Sequence, residues 1–145
     1  MIGILLLTHG ELGLQFLTTA RLIGLKSEES VSALGIDPTD SPDLLRDQVA
    51  QSIKKVDSGS GVLILTDLFG GTPTNLSLSF LEDGKVEVVT GLNLPMIIKA
   101  INSKGDYDLR ALAKIASEAG KENIYLASEF LRQRLKRRAG GEKQA

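Results

Sequence analysis

Four short aliphatic runs punctuate the chain, at Ile2–Thr8, Val31–Ile36, Val62–Thr66 and Val86–Thr90, with helical patterns between them. Their near-continuous apolar content predicts strands covered on both faces, and the alternation of strand with helix predicts βαβ units feeding a parallel sheet. Ser41-Pro42-Asp43 is a helix start, with serine as cap, proline at the first helical position and an acid in the first turn. Leu45, Val49, Ile53 and Val56 then recur along one face. Leu12 to Ile23 predicts a helix after the first strand, and Thr72-Pro73 opens a short one through Leu76 and Phe80. A further helix is expected from Asp108 to Ala119, with Leu109, Leu112, Ile115 and Ala116 inward and Gly120 as its left-handed C-terminal residue. Asn123–Ala127 predicts a short edge strand, and Ser128 would cap a terminal helix.

The expected fold class is therefore α/β, a doubly wound, mainly parallel open sheet in the flavodoxin-like order 2-1-3-4. The order is taken from the class, since no local pattern specifies it. At about 100–200 residues per domain, 145 residues allow one domain. Its expected extent is residues 1–127, followed by a basic C-terminal helix and frayed tail over 128–145. Residues 1–127 carry 11 Lys and Arg against 16 Asp and Glu, a balance of −5, whereas 128–145 carry 6 against 2, a balance of +4. No aromatic residues interleave the basic cluster to stack on bases, so nucleic-acid binding is not expected and a solvated helix that frays at Gly140-Gly141 is. No apolar run approaches the roughly 20 residues that cross a bilayer, and no basic region precedes Ile4–Leu7 as in a signal peptide. No membrane insertion is expected, and the default location is cytoplasmic.

Composition narrows the chemistry. With no cysteine and one histidine, thiolate metal sites, cysteine nucleophiles and paired-histidine zinc motifs are excluded, and neither a metal nor a cofactor is expected. P-loop, dinucleotide-binding and nucleophile-elbow motifs are absent, and a Thr–His–Asp hydrolase triad through Thr72 lacks the sharp nucleophile turn. Histidine phosphatases carry Arg-His-Gly after a first strand, but Thr8 stands in place of that arginine and no second histidine exists.

His9 follows the first strand and Asp67 the third. In the order 2-1-3-4 these strands are neighbours about 4.8 Å apart at the switch point, where open α/β sheets bind ligands. A carboxylate accepting the proton of one ring nitrogen would fix the tautomer and leave the other nitrogen as a nucleophile. Gly10, Gly70 and Gly71 would let backbone approach an anion, and Thr72 would add a hydroxyl and the first amides of a helix. On spacing alone, a lone histidine after a strand also reads as a surface or satisfied side chain, and Gly70-Gly71 as a tight turn.

Three motifs in register carry a resemblance. Thr8-His9-Gly10, the run Thr66 to Asn75 (TDLFGGTPTN) and the run Val89 to Met96 (VTGLNLPM) resemble the IIA component of the mannose-family phosphoenolpyruvate-dependent sugar phosphotransferase system, over about residues 1–127. The resemblance implies that His9 accepts a phosphoryl group from the phosphohistidine of the carrier HPr and passes it to a IIB component, which phosphorylates the sugar. It implies that Asp67 orients the imidazole and that Thr72 lies by the phosphoryl group. It further implies a homodimer that exchanges its last edge strand, at Asn123–Ala127. Phe69 stands where some members have tryptophan, and no IIB domain follows, so the acceptor is expected in a separate protein. The alternative function is a regulatory module whose phosphorylation state is read without sugar transport.

Overall fold

A computed structural model describes residues 1–144. Four parallel strands, β1 (Gly3–His9), β2 (Val31–Ile36), β3 (Val62–Thr66) and β4 (Val86–Thr90), form one sheet in the order β2-β1-β3-β4. This is the expected order, with the switch point between β1 and β3.

The two central strands are buried almost throughout, and their alternation feeds two cores. Ile4, Leu6, Leu63 and Leu65 point to one face, against α1 (Leu12–Ile23), α4 (Leu94–Ser103) and α5 (Leu109–Glu122). Leu5, Leu7, Val62 and Ile64 point to the other, against α2 (Pro42–Val56) and the short α3 (Thr72–Leu78). Eight fully buried aliphatic side chains on β1 and β3, at about 1.5–3 kcal/mol each relative to exposure, explain why these two strands seat at the centre.

Local chemistry sets the helix starts. Ser41 Oγ accepts the Leu44 N–H, and Asp108 Oδ1 accepts that of Ala111. At α1 the flanking Glu11 provides no side-chain cap; instead Thr8 Oγ1, on the strand, accepts the Gly13 N–H at 2.8 Å. That bond ties the residue before His9 to the helix after it.

Helix α4 has no counterpart among the sequence expectations, although Asn93-Leu94-Pro95 carries the same cap-then-proline signal as Ser41-Pro42. Asn93 Oδ1 accepts the Met96 N–H, and Asn93 Nδ2 donates to the Gly120 carbonyl, joining the start of α4 to the end of α5. Gly120 is thus not a left-handed terminator. It lies within α5, where a Cβ would meet Met96 Cε at 2.8 Å, so its absence of side chain lets the two helices pack closely. Helix α3 ends at Leu78, before the expected Phe80.

The expected strand at Asn123–Ala127 does not form within the single chain. Residues 123–126 are irregular with exposed side chains, and Ala127 already opens α6 (Ala127–Gln144), one residue ahead of the expected cap at Ser128. A strand needs a neighbour to pair with, and this segment, following α5, pairs with none of the four strands of the sheet. Helix α6 continues past Gly140-Gly141, where fraying was expected, and Ala145 lies outside the described residues. No helix among the described residues is long and apolar enough to cross a membrane.

Candidate functional site

His9 is the last residue of β1, and Asp67 the first beyond β3. Because the strands are adjacent and in register from Gly3↔Val62 to Leu7↔Thr66, both residues emerge at the carboxyl edge of the sheet, at the switch point. Asp67 Oδ2 lies 2.9 Å from His9 Nδ1 and 3.0 Å from the His9 backbone nitrogen, so one carboxylate oxygen accepts from both. The His9 side chain stays 40% exposed and that of Asp67 only 11%. Asp67 Oδ1 is buried without a hydrogen-bond partner.

The neutral imidazole carries one ring proton, and a carboxylate facing Nδ1 places it there. Nε2 is then left with its lone pair. A ring of this tautomer, braced on one side and open on the other, is equipped for nucleophilic chemistry at Nε2.

Gly71 supplies the brace. A Cβ on this residue would stand 2.7 Å from His9 Cε1 and 3.2 Å from Nε2, so the peptide at the start of α3 lies against the ring because it has no side chain. Thr72 opens α3 beside it, half-buried. Gly70 takes a φ of 92° in the same loop, with open space where a Cβ would be. Gly10 turns the chain after His9 and is itself bound to β2, its N–H donating to the Ile36 carbonyl. Of the six residues singled out from the sequence, His9, Asp67 and Gly71 are thus brought together, and Gly10, Gly70 and Thr72 stand next to them in the same two loops.

Sequence reasoning missed three further features. Gly35 sits within β2 where a Cβ would overlap the Gly10 carbonyl oxygen, so it lets the turn after His9 close on the neighbouring strand. An isolated glycine inside a strand is the signal that could have found it. A cleft of 590 Å³ flanks His9 on the β2 side, lined by Glu11, Leu14, Ile36, Asp37 and Pro38 among others. There the Thr39 backbone N–H and then its hydroxyl, both donating to Asp37, hold that carboxyl below the usual carboxylate range. On the β3 side, Leu68 and Phe69 are 60% and 75% exposed. Third, Thr66 and Thr74, both fully buried, place their hydroxyls 2.9 Å apart behind Asp67, and Thr74 also donates to the Leu68 carbonyl. A pairing of two threonines across a loop leaves no trace in a linear pattern.

Known proteins resemble this chain in sequence and fold. The chain is 30% identical over 125 residues, 85% of its length, to the PTS system mannose-specific EIIAB component of Escherichia coli K12, and it spans 38% of that relative's length. It is 25% identical to the PTS system fructose-specific EIIA component of Bacillus subtilis, with 90% of each chain covered. Among solved structures, a phosphotransferase system component EIIA from Streptococcus agalactiae superposes with a TM-score of 0.78 at 28% identity, covering 89% of this chain and 99% of that one. The mannose/sorbose-specific IIA subunit from Enterococcus faecalis gives 0.74 at 25% identity, over 86% and 92%. Residues 3–117, which carry the whole sheet and the His9–Asp67 pair, match the family model described as PTS system fructose IIA component, and the chain accordingly belongs to this mannose-type EIIA family of the sugar phosphotransferase system.

Proposed function

We propose that this chain is a phosphoryl carrier in which His9 accepts the phosphoryl group of phospho-HPr and passes it to a IIB component. The observation that carries the proposal is the 2.9 Å contact between His9 Nδ1 and Asp67 Oδ2, on a member of this family. Nε2 of His9 attacks the phosphorus of the donor's phosphohistidine; the new N–P bond forms as the donor's N–P bond breaks, and the donor ring leaves with that electron pair. The Nδ1 proton stays against Asp67, whose charge stabilises the cationic ring that results. Transfer onward repeats the exchange, with His9 as the leaving group. A loose, in-line transfer between imidazoles demands alignment more than protein-side acid or base; Gly70, Gly71 and Thr72 offer backbone N–H groups and a hydroxyl in the loop beside the ring, while Gly10, its own N–H bound to β2, leaves the other side of the ring open.

Incubation with phospho-HPr is expected to label the chain in an acid-labile, base-stable manner, and His9→Ala to abolish the label. Normal labelling of His9→Ala would overturn the proposal. Labelled protein that loses its phosphoryl group to no IIB partner would favour the regulatory alternative.

The same reading includes a homodimer in the cytoplasm. Ile124, Tyr125 and Leu126 are 75%, 59% and 64% exposed, a run of apolar side chains left largely in solvent although the Tyr125 ring meets that of Phe130 at 4.9 Å. Among the strands β4 pairs with β3, and beyond a single bridge of Val86 to Glu82 its other edge is open. Pairing of the 124–126 segment from a second copy with such an edge would cover both. Sedimentation equilibrium at micromolar concentration is expected to return the dimer mass; a monomer there would contradict the exchange.

A further inference from the structure

The geometry points to Thr74 as a positioning residue for the His9–Asp67 pair, holding the backbone on both sides of Asp67 with a single hydroxyl. The placement of the pair follows from contacts alone; only the kinetic consequence rests on the proposed relay.

Asp67 sits between two residues of different character. Thr66 ends β3 and is anchored by the sheet, its carbonyl accepting the Leu92 N–H. Leu68 has left the strand and projects its side chain into solvent. The Thr74 hydroxyl bridges these two, donating to the Leu68 carbonyl and lying 2.9 Å from Thr66 Oγ1. A carbonyl can only accept, so the one proton of Thr74 goes to Leu68, and Thr66 must donate to Thr74. The order of donors is thereby fixed, and the bond between the two threonines, both fully buried, is shielded from water.

The carboxylate needs such a device. Its Oδ2 serves both His9 N–H groups, while Oδ1 is buried without a partner. No hydrogen bond to the second oxygen holds the carboxylate from behind, so its position is set by the backbone that carries it. That backbone is tied down at Thr66 by the sheet and at Leu68 by Thr74. Release of the Leu68 carbonyl frees the peptide that follows Asp67, and with it the place from which the carboxylate meets Nδ1. The same loop continues to Gly70 and Gly71, so the brace against the ring would loosen with it.

The test separates the hydroxyl from the methyl of Thr74. In the full chain with ¹⁵N-labelled imidazole, NMR of the wild type is expected to show the Nδ1–H tautomer. Thr74→Val keeps the shape and removes the hydroxyl; it is expected to give a mixture of tautomers and to slow phosphorylation by phospho-HPr about tenfold or more. Thr74→Ser, which keeps the hydroxyl, is expected to match the wild type in both measurements. Should Thr74→Val not fold, Thr74→Ala takes its place. Wild-type tautomer signals in the variant lacking the hydroxyl, or a Thr74→Ser protein as impaired as that variant, would overturn the inference. The tautomer measurement uses no phosphoryl donor, so failure of the wild type to accept phosphate would sink the relay while leaving the role of Thr74 decided on its own terms.

Discussion

Asp67→Ala is expected to slow the phosphorylation of His9 by phospho-HPr roughly 10³- to 10⁴-fold, a loss of the size seen when a catalytic histidine has the wrong tautomer. The variant removes the acceptor of both the Nδ1–H and the backbone N–H of His9. The ring is then free to rotate, its proton distributes between the two nitrogens, and no charge balances the phosphorylated ring. Asp67→Asn divides these effects. The His9 backbone N–H points at the same oxygen as Nδ1, so turning the amide NH₂ toward His9 would set donor against donor. The amide oxygen therefore takes the place of Oδ2, and the NH₂ group falls where Oδ1 is now buried and unpartnered. Tautomer and orientation survive while the charge is lost, and the expected slowing is about 10- to 100-fold, the difference between a charged and a neutral hydrogen-bond acceptor. Rapid-quench measurement of single-turnover transfer checks both variants. An Asp67→Ala protein that accepts phosphate at the wild-type rate would remove the orienting role altogether.

Gly71→Ala is expected to slow transfer about 100-fold with little change in thermal stability. Its backbone, at φ −89° and ψ 174°, is one that any residue adopts, so the substitution brings no conformational strain. The added Cβ would instead stand 2.7 Å from His9 Cε1. Either the imidazole or the loop must yield, and a ring displaced by about 1 Å loses its alignment both with Asp67 and with an incoming phosphorus. Gly70→Ala is the matched contrast. There φ is 92°, so alanine is strained by about 1–2 kcal/mol, yet nothing lies within 4 Å of the new Cβ. Neighbouring glycines should thus divide the two penalties, Gly71→Ala costing transfer rate and Gly70→Ala costing melting temperature. Equal transfer rates in the two variants would show that the ring is not braced where the geometry puts it.

The elements best read in advance were those whose cause is local. β2, β3, β4 and α1 fall at the expected residues because an aliphatic run or a helical stripe contains its own reason, and Ser41 caps α2 through a bond only three residues long. Asn93 shows that such a signal can also be overlooked: cap and proline were both present, and α4 follows from them. Gly120 shows the opposite failure. As a glycine near the end of a helical pattern it suggested a terminator, and its actual role depends on Met96, on another helix, which no local pattern can see.

The segment at residues 123–127 marks the same limit. Its apolar content suits a strand, but strand formation is a property of two segments, and within the single chain this one pairs with no strand of the sheet. The basic stretch after it proved helical from Ala127 onward, as charge and composition suggested.

The sequence by itself determined that this protein would be a layered α/β chain, and that its imidazole chemistry rests on His9 alone. Three motifs also pointed to its family. It could not bring His9 to Asp67, because residues 58 positions apart meet only if β1 and β3 are neighbours, and strand order is decided by which faces the helices cover. Tertiary structure decided that meeting, the approach of Gly71 to the ring and the pairing of Thr66 with Thr74. Each depends on distances of about 3 Å between segments far apart in the chain, set by the packing of two cores on opposite faces of one sheet.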